Sequence, residues 1–329
     1  MKVQGIMKPD FAISSVLAPM AEITDMPFRS MVRKFSNSLM ISEMISAAGI
    51  WQKNQKTLRM LKLTATEQPI GIQIFGHDAE IMAAAAKQAE EEGAALIDIN
   101  MGCPVRKIVN DGNGSALMQN VSLAGKIVSA VSSAVKIPVS VKFRSGWNAD
   151  SINAIEFAKA MEDSGASLLA VHGRTRAQFY SGFADWQLIA KVKEAVSIPL
   201  IGNGDIRSPK EAVARMQESG VDGIMVGRAV LGHPWLMGQI EAACSGNPIP
   251  ETPSLAEQKQ LQLEHLRLML DYYQAPKGIY LFRKHICWYV SGMRDAAKFR
   301  QEINTIEDID ILTRTISDFY AKAGEDEGI

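Results

Sequence analysis

Short apolar, β-branched runs recur along the first two thirds of the chain, and longer amphipathic stretches separate them. Eight runs stand out: residues 15–21 (SVLAPMA), 39–44 (LMISEM), 70–75 (IGIQIF), 95–101 (ALIDINM), 137–143 (IPVSVKF), 167–172 (SLLAVH), 198–204 (IPLIGNG) and 221–227 (VDGIMVG). Most are bounded by Gly, Pro, Asn or Asp, as strands ending in turns are. The stretches at 78–92, 121–135, 151–164, 185–196 and 209–219 have the length and patterning of surface helices. Three of them run into Gly93, Gly165 or Gly220 just before the next strand, which reads as a glycine C-cap. Nearly continuous apolar strands alternating with helices imply a parallel sheet covered on both faces. Eight such units fit a closed (β/α)8 TIM barrel better than an open, doubly wound sheet. The open sheet should carry G-x-G-x-x-G after its first strand, and Ala18-Pro19-Met20-Ala21-Glu22 is not that.

The strand–helix rhythm then stops. Residues 254–300 read as helices, through LAEQKQLQLEHLRLMLDYY and GIYLFRKHICWYVSGM. The expected organisation is therefore a barrel over 1–245 and an all-helical domain over 246–329. After Gln301 the charge turns negative, which predicts a frayed acidic tail ending GEDEGI.

Composition narrows the class. Charged residues make up 22% of a 329-residue chain, as in a globular protein with a large core. Cys103, Cys244 and Cys287 are too few and too scattered for a disulfide framework or a metal site, and they suit the reducing cytoplasm. The opening MKVQGIMKPD lacks the apolar core of a signal peptide, and no run of about 18 apolar residues predicts a membrane span. A net charge of −1 argues against nucleic-acid binding driven by bulk charge, though not against a local basic face.

The chemistry of a barrel sits at the C-terminal ends of its strands. This chain places its unusual polar residues there: Glu43, Gln73, Asn100 with Cys103 just beyond, Lys142 and Arg144, His172 with Arg174, Asn203-Gly204-Asp205, and Gly227-Arg228. Singly, each has a plain alternative. Cys103 could be a small buried hydrophobe, Lys142 and His172 satisfied core groups, and Asn203-Gly204-Asp205 an ordinary turn. Their recurrence at one phase of successive repeats predicts a polar site lining the barrel mouth. Loops after the seventh and eighth strands are the usual phosphate cradle of this fold. A phosphate there, with Gln73 to read an amide and Lys142 as a nearby cation, suggests flavin mononucleotide (FMN). A pyridine nucleotide would then be a visiting reductant.

LAPMAEITDMPFR, SEM, QIFG, DINMGCPVRKI, GSALM, VKFRSGW, VHGRTR, NGDI and VGRAVLGHPW, in that order over residues of about 15 to 240, closely resemble the tRNA-dihydrouridine synthases. The likeness is strongest to the bacterial branch that includes the B-type enzymes. The resemblance implies an FMN enzyme that reduces D-loop uridine of tRNA to 5,6-dihydrouridine with NADPH or NADH. It implies that Pro19, Met20 and Ala21 lie along the flavin, and that Gln73 hydrogen-bonds its ring. Lys142 and His172 also contact it, while Asn203, Gly204, Asp205, Gly227 and Arg228 hold its phosphate end. Asn100 faces the uracil, with Arg144 also on the substrate side, and Cys103 is the acid. One departure is Glu22, where many members carry Gly. The reaction needs such an acid. Hydride added at C6 leaves C5 to receive a proton, and a thiol with an ordinary pKa near 8.5 is largely protonated at neutral pH.

Residues 254–300 carry eight cations against four acids, with aromatics interleaved. They read either as a bundle with a solvated basic face or as a tRNA contact. The second is favoured, with Arg283 and Lys284 as candidate phosphate contacts, because the target base must be flipped out to reach a barrel mouth. No obligate protein partner is evident. Two other functions compete. A barrel flavoenzyme reducing a free pyrimidine would need no basic helical domain. A flavin-stabilised tRNA-binding protein would act without Cys103.

Overall fold

The computed structural model describes residues 11–326. The opening MKVQGIMKPD, read above for a signal peptide, and residues 327–329 lie outside the described residues. Among the described residues nine parallel strands are formed: β1 Ser15–Leu17, β2 Leu39–Ile41, β3 Ile45–Ser46, β4 Ile70–Phe75, β5 Leu96–Met101, β6 Val139–Arg144, β7 Leu168–His172, β8 Leu200–Asn203 and β9 Gly223–Val226. β1 pairs with β2 on one side and β9 on the other, and β2 also pairs with β4, so the sheet closes into a barrel. Among the described residues the barrel has eight positions, as expected, because β2 and β3 share one of them.

That shared position departs from the sequence reading. A single strand was expected over 39–44, yet the run is interrupted at Ser42-Glu43-Met44. The register explains it. Ile41 pairs with Gly71, but Ile45 pairs with Ile74, so four steps on one strand face three on the other. The extra residue bulges out of the ladder. Ser42 spans the gap, donating its N–H to the Gly71 carbonyl (2.9 Å) and accepting from the Gln73 N–H on its hydroxyl (3.0 Å). The first strand is also shorter than expected and ends at Leu17; Pro19, Met20 and Ala21 lie at the barrel mouth and lead into a turn in which the Ile23 and Thr24 N–H groups donate to the Met20 carbonyl.

Two apolar layers hold the barrel. Val16, Leu39, Ile41, Leu96, Leu168 and Ile201 fill its interior. Alternate residues such as Ile72, Ile97, Val141 and Leu169 face the surrounding helices. Gly93, Gly165 and Gly220 all have positive φ where helices give way to strands, as the C-cap reading expected.

Beyond the barrel, the helices Leu255–Tyr273, Lys277–Tyr289, Ala296–Ile303 and Ile309–Asp326 pack around a second core that includes Leu266, Phe282, Ile286 and Phe299. The expectation of a frayed acidic tail after Gln301 is overturned for the described part. Leu312, Ile316, Phe319 and Tyr320 line one face of the last helix and are buried in that core. Met31 of the helix Met26–Arg33, Trp235 and Leu261 form a smaller apolar cluster between barrel and helices.

Candidate active site

The barrel mouth opens into a cavity of about 1150 Å³. Pro19, Met20, Ala21, Gln73, Asn100, Cys103, Lys142, Arg144, His172, Asn203, Gly204, Asp205, Gly227 and Arg228 all line it. Of the sequence-derived site residues, Glu43, Arg174, Arg283 and Lys284 do not.

One hydrogen-bonded chain runs from the barrel interior to Cys103. Ser140 Oγ and Gln73 Nε2 both donate to the Asp98 carboxylate, each at 2.5 Å. Asn100 Nδ2 donates to Gln73 Oε1 (2.8 Å), and Asn100 Oδ1 accepts from the N–H groups of Gly102 (3.2 Å) and Cys103 (2.9 Å). The Cys103 carbonyl accepts from Ser115 N–H (3.1 Å) and Oγ (2.9 Å). Arg144 Nε takes the Gly102 carbonyl at 2.8 Å. The cysteine backbone is thus fixed on three sides while its thiol remains at the cavity wall. Asn100, expected to face a substrate, spends its amide on this scaffold. Gly114 is required here: its φ is +59°, and a Cβ would come within 2.9 Å of the Cys103 carbonyl oxygen.

Electrostatics follow from burial. Burial pushes the Cys103 thiol above its ordinary range, against the opposing pull of the Val105 N–H, Arg144 and Lys142. It is therefore a protonated thiol at neutral pH. Burial also raises the Asp98 carboxyl and lowers the Lys142 ammonium, so both are drawn toward their neutral forms. His172 is held well below its usual range by burial and by the cations around it, Lys142 foremost. It is a neutral imidazole whose Nε2 lies 3.4 Å from Arg174 Nη1. A guanidinium can only donate, so Nε2 accepts and the ring proton sits on Nδ1.

Asp205 is held by partners within the chain. Its carboxylate takes Arg174 Nη2 on both oxygens (2.9 and 2.8 Å) and the Ala184 N–H (2.8 Å). Burial alone would raise its pKa, but these partners outweigh it and hold the carboxyl below the ordinary range. Arg174 also donates to the carbonyls of Ser181 and Gly182. The pair therefore shapes the loop after β7, which brings Phe179 and Tyr180 to the cavity. Sequence reasoning noted Arg174 but missed its partner and these two aromatics, because a loop's contacts leave no periodicity. Arg228, half exposed, stacks over Tyr180 with its guanidinium carbon 4.5 Å from the ring centroid.

The helical region reaches the same wall. Trp288 lines the cavity. Glu22, flagged above as the departure from Gly, adopts the left-handed φ of +61° that favours glycine. Its N–H donates to Glu43 Oε1, and its carbonyl accepts from Lys284 Nζ. Arg283 Nη2 donates to the Ile306 carbonyl at 2.9 Å, beneath the Tyr280 ring. Each cation proposed for RNA phosphate thus has a carbonyl partner within the chain: charge count shows a cation, not where packing sends it.

Next to this junction Asp25 caps the helix Met26–Arg33, accepting from the Phe28 N–H (3.0 Å) and the Tyr273 hydroxyl (2.9 Å). Burial pushes its carboxyl up to about 7. A carboxyl with a raised folded pKa binds its proton more tightly in the fold than in the unfolded chain. Its contribution to stability is full in acid and is lost as pH rises from about 4 through about 7. Asp25→Asn keeps a capping oxygen but cannot ionise. Urea unfolding should show the variant gaining on the parent as pH is raised from 4 to 8. A constant difference across that window would remove Asp25 as its source.

A closed parallel barrel with a polar cavity at the strand C-termini defines a TIM-barrel enzyme architecture. Solved structures agree on the fold. An old yellow enzyme homologue from Zymomonas mobilis superposes with a TM-score of 0.53 at 15% identity, covering 82% of this chain and 96% of that one. Histamine dehydrogenase from Rhizobium sp. 4-9 gives 0.56 at 15% identity over 78% of this chain, which spans only 49% of that longer protein. The dihydrouridine synthase (Dus) family model matches residues 16–322, and the chain belongs to that family. A probable tRNA-dihydrouridine synthase of Rickettsia conorii is 42% identical over 94% of both chains. The tRNA-dihydrouridine synthase B of Pseudomonas putida is 40% identical over 93% of this chain and 91% of its own length.

Proposed function

We propose that the chain reduces uridine in tRNA to 5,6-dihydrouridine, with FMN as cofactor, NADPH or NADH as reductant and Cys103 as the acid. The observation that carries this reading is the Cys103 thiol itself, kept protonated by burial and held at the cavity wall by Asn100 and Ser115. A reduced flavin, when bound, supplies the hydride for uracil C6. Cys103 Sγ gives its proton to C5 and is reprotonated from solvent. Asn100 and Arg144 keep the thiol loop in place through the amides of Gly102 and Cys103. Neutral His172 and the Lys142 cation provide hydrogen-bond donors on the cofactor side.

The cavity fits FMN on its own terms. Lys142 offers donors in its depth, Gln73 lines it with one amide hydrogen beyond the one given to Asp98, and Arg228 stands at the corner formed by the ends of β8 and β9. At that corner a Cβ on Gly227 would meet nothing nearer than Ala18 Cβ at 3.6 Å, which leaves the backbone open to close approach. At Gly204 the neighbour is the protein itself, with Ala184 Cβ 2.4 Å from the added atom.

The purified protein should be yellow and release FMN on denaturation. Flavin titrations should show FMN binding more tightly than riboflavin, which lacks the phosphate. Arg228→Met should remove about tenfold or more of that difference, since a hydrogen bond to a charged group contributes about 1.5–3 kcal/mol. Equal affinity for the two flavins, or no flavin at all, would overturn the cofactor assignment.

A further inference from the structure

The segment after the second barrel strand carries a surface that the reaction chemistry does not use. From Met44 to Thr66 the chain has four cations, Lys53, Lys56, Arg59 and Lys62, and no carboxylate, in a protein whose net charge is −1. Lys53, Lys56 and Arg59 are exposed and form no ion pair among the described residues. Only Lys62 has an acidic partner, Glu92 at 2.7 Å. Beside them Trp51 is 62% exposed, an unusual place to leave an indole.

The local fold holds these groups on a short frame. Ser46 caps the helix Ala47–Trp51, and its hydroxyl accepts from the Gly49 N–H at 3.2 Å. Lys53 turns the chain with φ +55°. Asn54 then caps the helix Gln55–Leu61, accepting from Thr57 N–H at 3.1 Å. The frame follows the C-terminal end of a barrel strand, and Met44 just before it lines the cavity. On its other side the Arg59 carbonyl accepts from the Tyr272 hydroxyl at 3.5 Å, so the patch adjoins the helical region.

We infer that Trp51, Lys53, Lys56 and Arg59 form a docking surface for the RNA substrate, with an unpaired base stacked on Trp51 and backbone phosphates against the three cations. The inference rests on the tRNA reading above. A polyanion gains most from cations that no carboxylate already neutralises, and an exposed aromatic face suits a base of any sequence. Protein–protein interfaces are instead depleted in lysine.

The test is binding of unmodified tRNA to the full-length protein at several salt concentrations. Trp51→Ala should raise Kd by about 5–150-fold, the measured worth of one stacked base, and Trp51→Phe should recover most of it. Replacing Lys53 and Lys56 together with Gln should weaken binding and flatten the slope of log K against log salt by about one to two units. Turnover at saturating tRNA should stay close to the parent's, with the loss appearing in KM. Parental affinity and slope in all variants, while the parent reduces that tRNA, would overturn the surface and leave the enzyme reading intact. A parent that binds tRNA through Trp51 but never reduces it would overturn the enzyme reading and leave the surface standing.

Discussion

Cys103→Ala should lower dihydrouridine formation by about 10²–10⁴-fold, the usual contribution of a positioned general acid, and leave flavin content and flavin reduction by NADPH unchanged. The structure makes this substitution unusually clean. The hydrogen bonds from Asn100, Ser115 and Arg144 that position the loop go through the backbone of Gly102 and Cys103, and only the Val105 N–H reaches the thiol itself. The variant keeps those backbone bonds and the Cβ, and loses only the sulfur. A general structural defect would instead disturb both half-reactions. Stopped-flow reduction of the flavin, followed by quantified dihydrouridine, separates them. A variant within a few-fold of the parent in the second half-reaction would make Cys103 a packing residue.

The largest expected loss of stability lies at Arg174. Its side chain is 2% exposed and donates to the Ser181 and Gly182 carbonyls and to both Asp205 oxygens. Arg174→Ala removes one member of a buried pair and strands the others, which typically costs about 3–5 kcal/mol. Asp205 keeps the Ala184 N–H and some solvent, so the upper end of that range is not expected. The sign with pH follows from Asp205. Its depressed folded pKa contributes stability above about pH 4 that is lost as pH falls through the folded value. The deficit of the variant should therefore shrink in acid. Because the same guanidinium orders the loop bearing Phe179 and Tyr180, substrate KM should rise even in the fraction that stays folded. Urea unfolding with a loss below about 1 kcal/mol would show that the loop stands without Arg174.

The strands and their functional ends could be read in advance because periodicity and turn residues are local properties. Gln73, Lys142 and His172 fall at the cavity for that reason alone. What escaped depends on partners distant in sequence. The bulge at Ser42-Glu43-Met44 is a property of register against β4, and LMISEM gives no hint of it. Lys284 looks like any basic-face lysine until the Glu22 carbonyl is beside it. NGDI likewise gives no hint that Arg174 bonds both Asp205 oxygens. The last helix is a different kind of miss. Leu312, Ile316, Phe319 and Tyr320 are spaced i, i+4, i+7, i+8, a helical stripe that was legible but outweighed by the count of acids around it.

Reduction of uridine within tRNA is the activity proposed for this cavity. Its most direct test is to incubate purified protein, FMN and NADPH with unmodified tRNA and to map the product nucleosides by mass. D-loop uridine should gain two hydrogens, only when all components are present and Cys103 is intact. Unchanged tRNA alongside turnover of free uracil or orotate would contradict it.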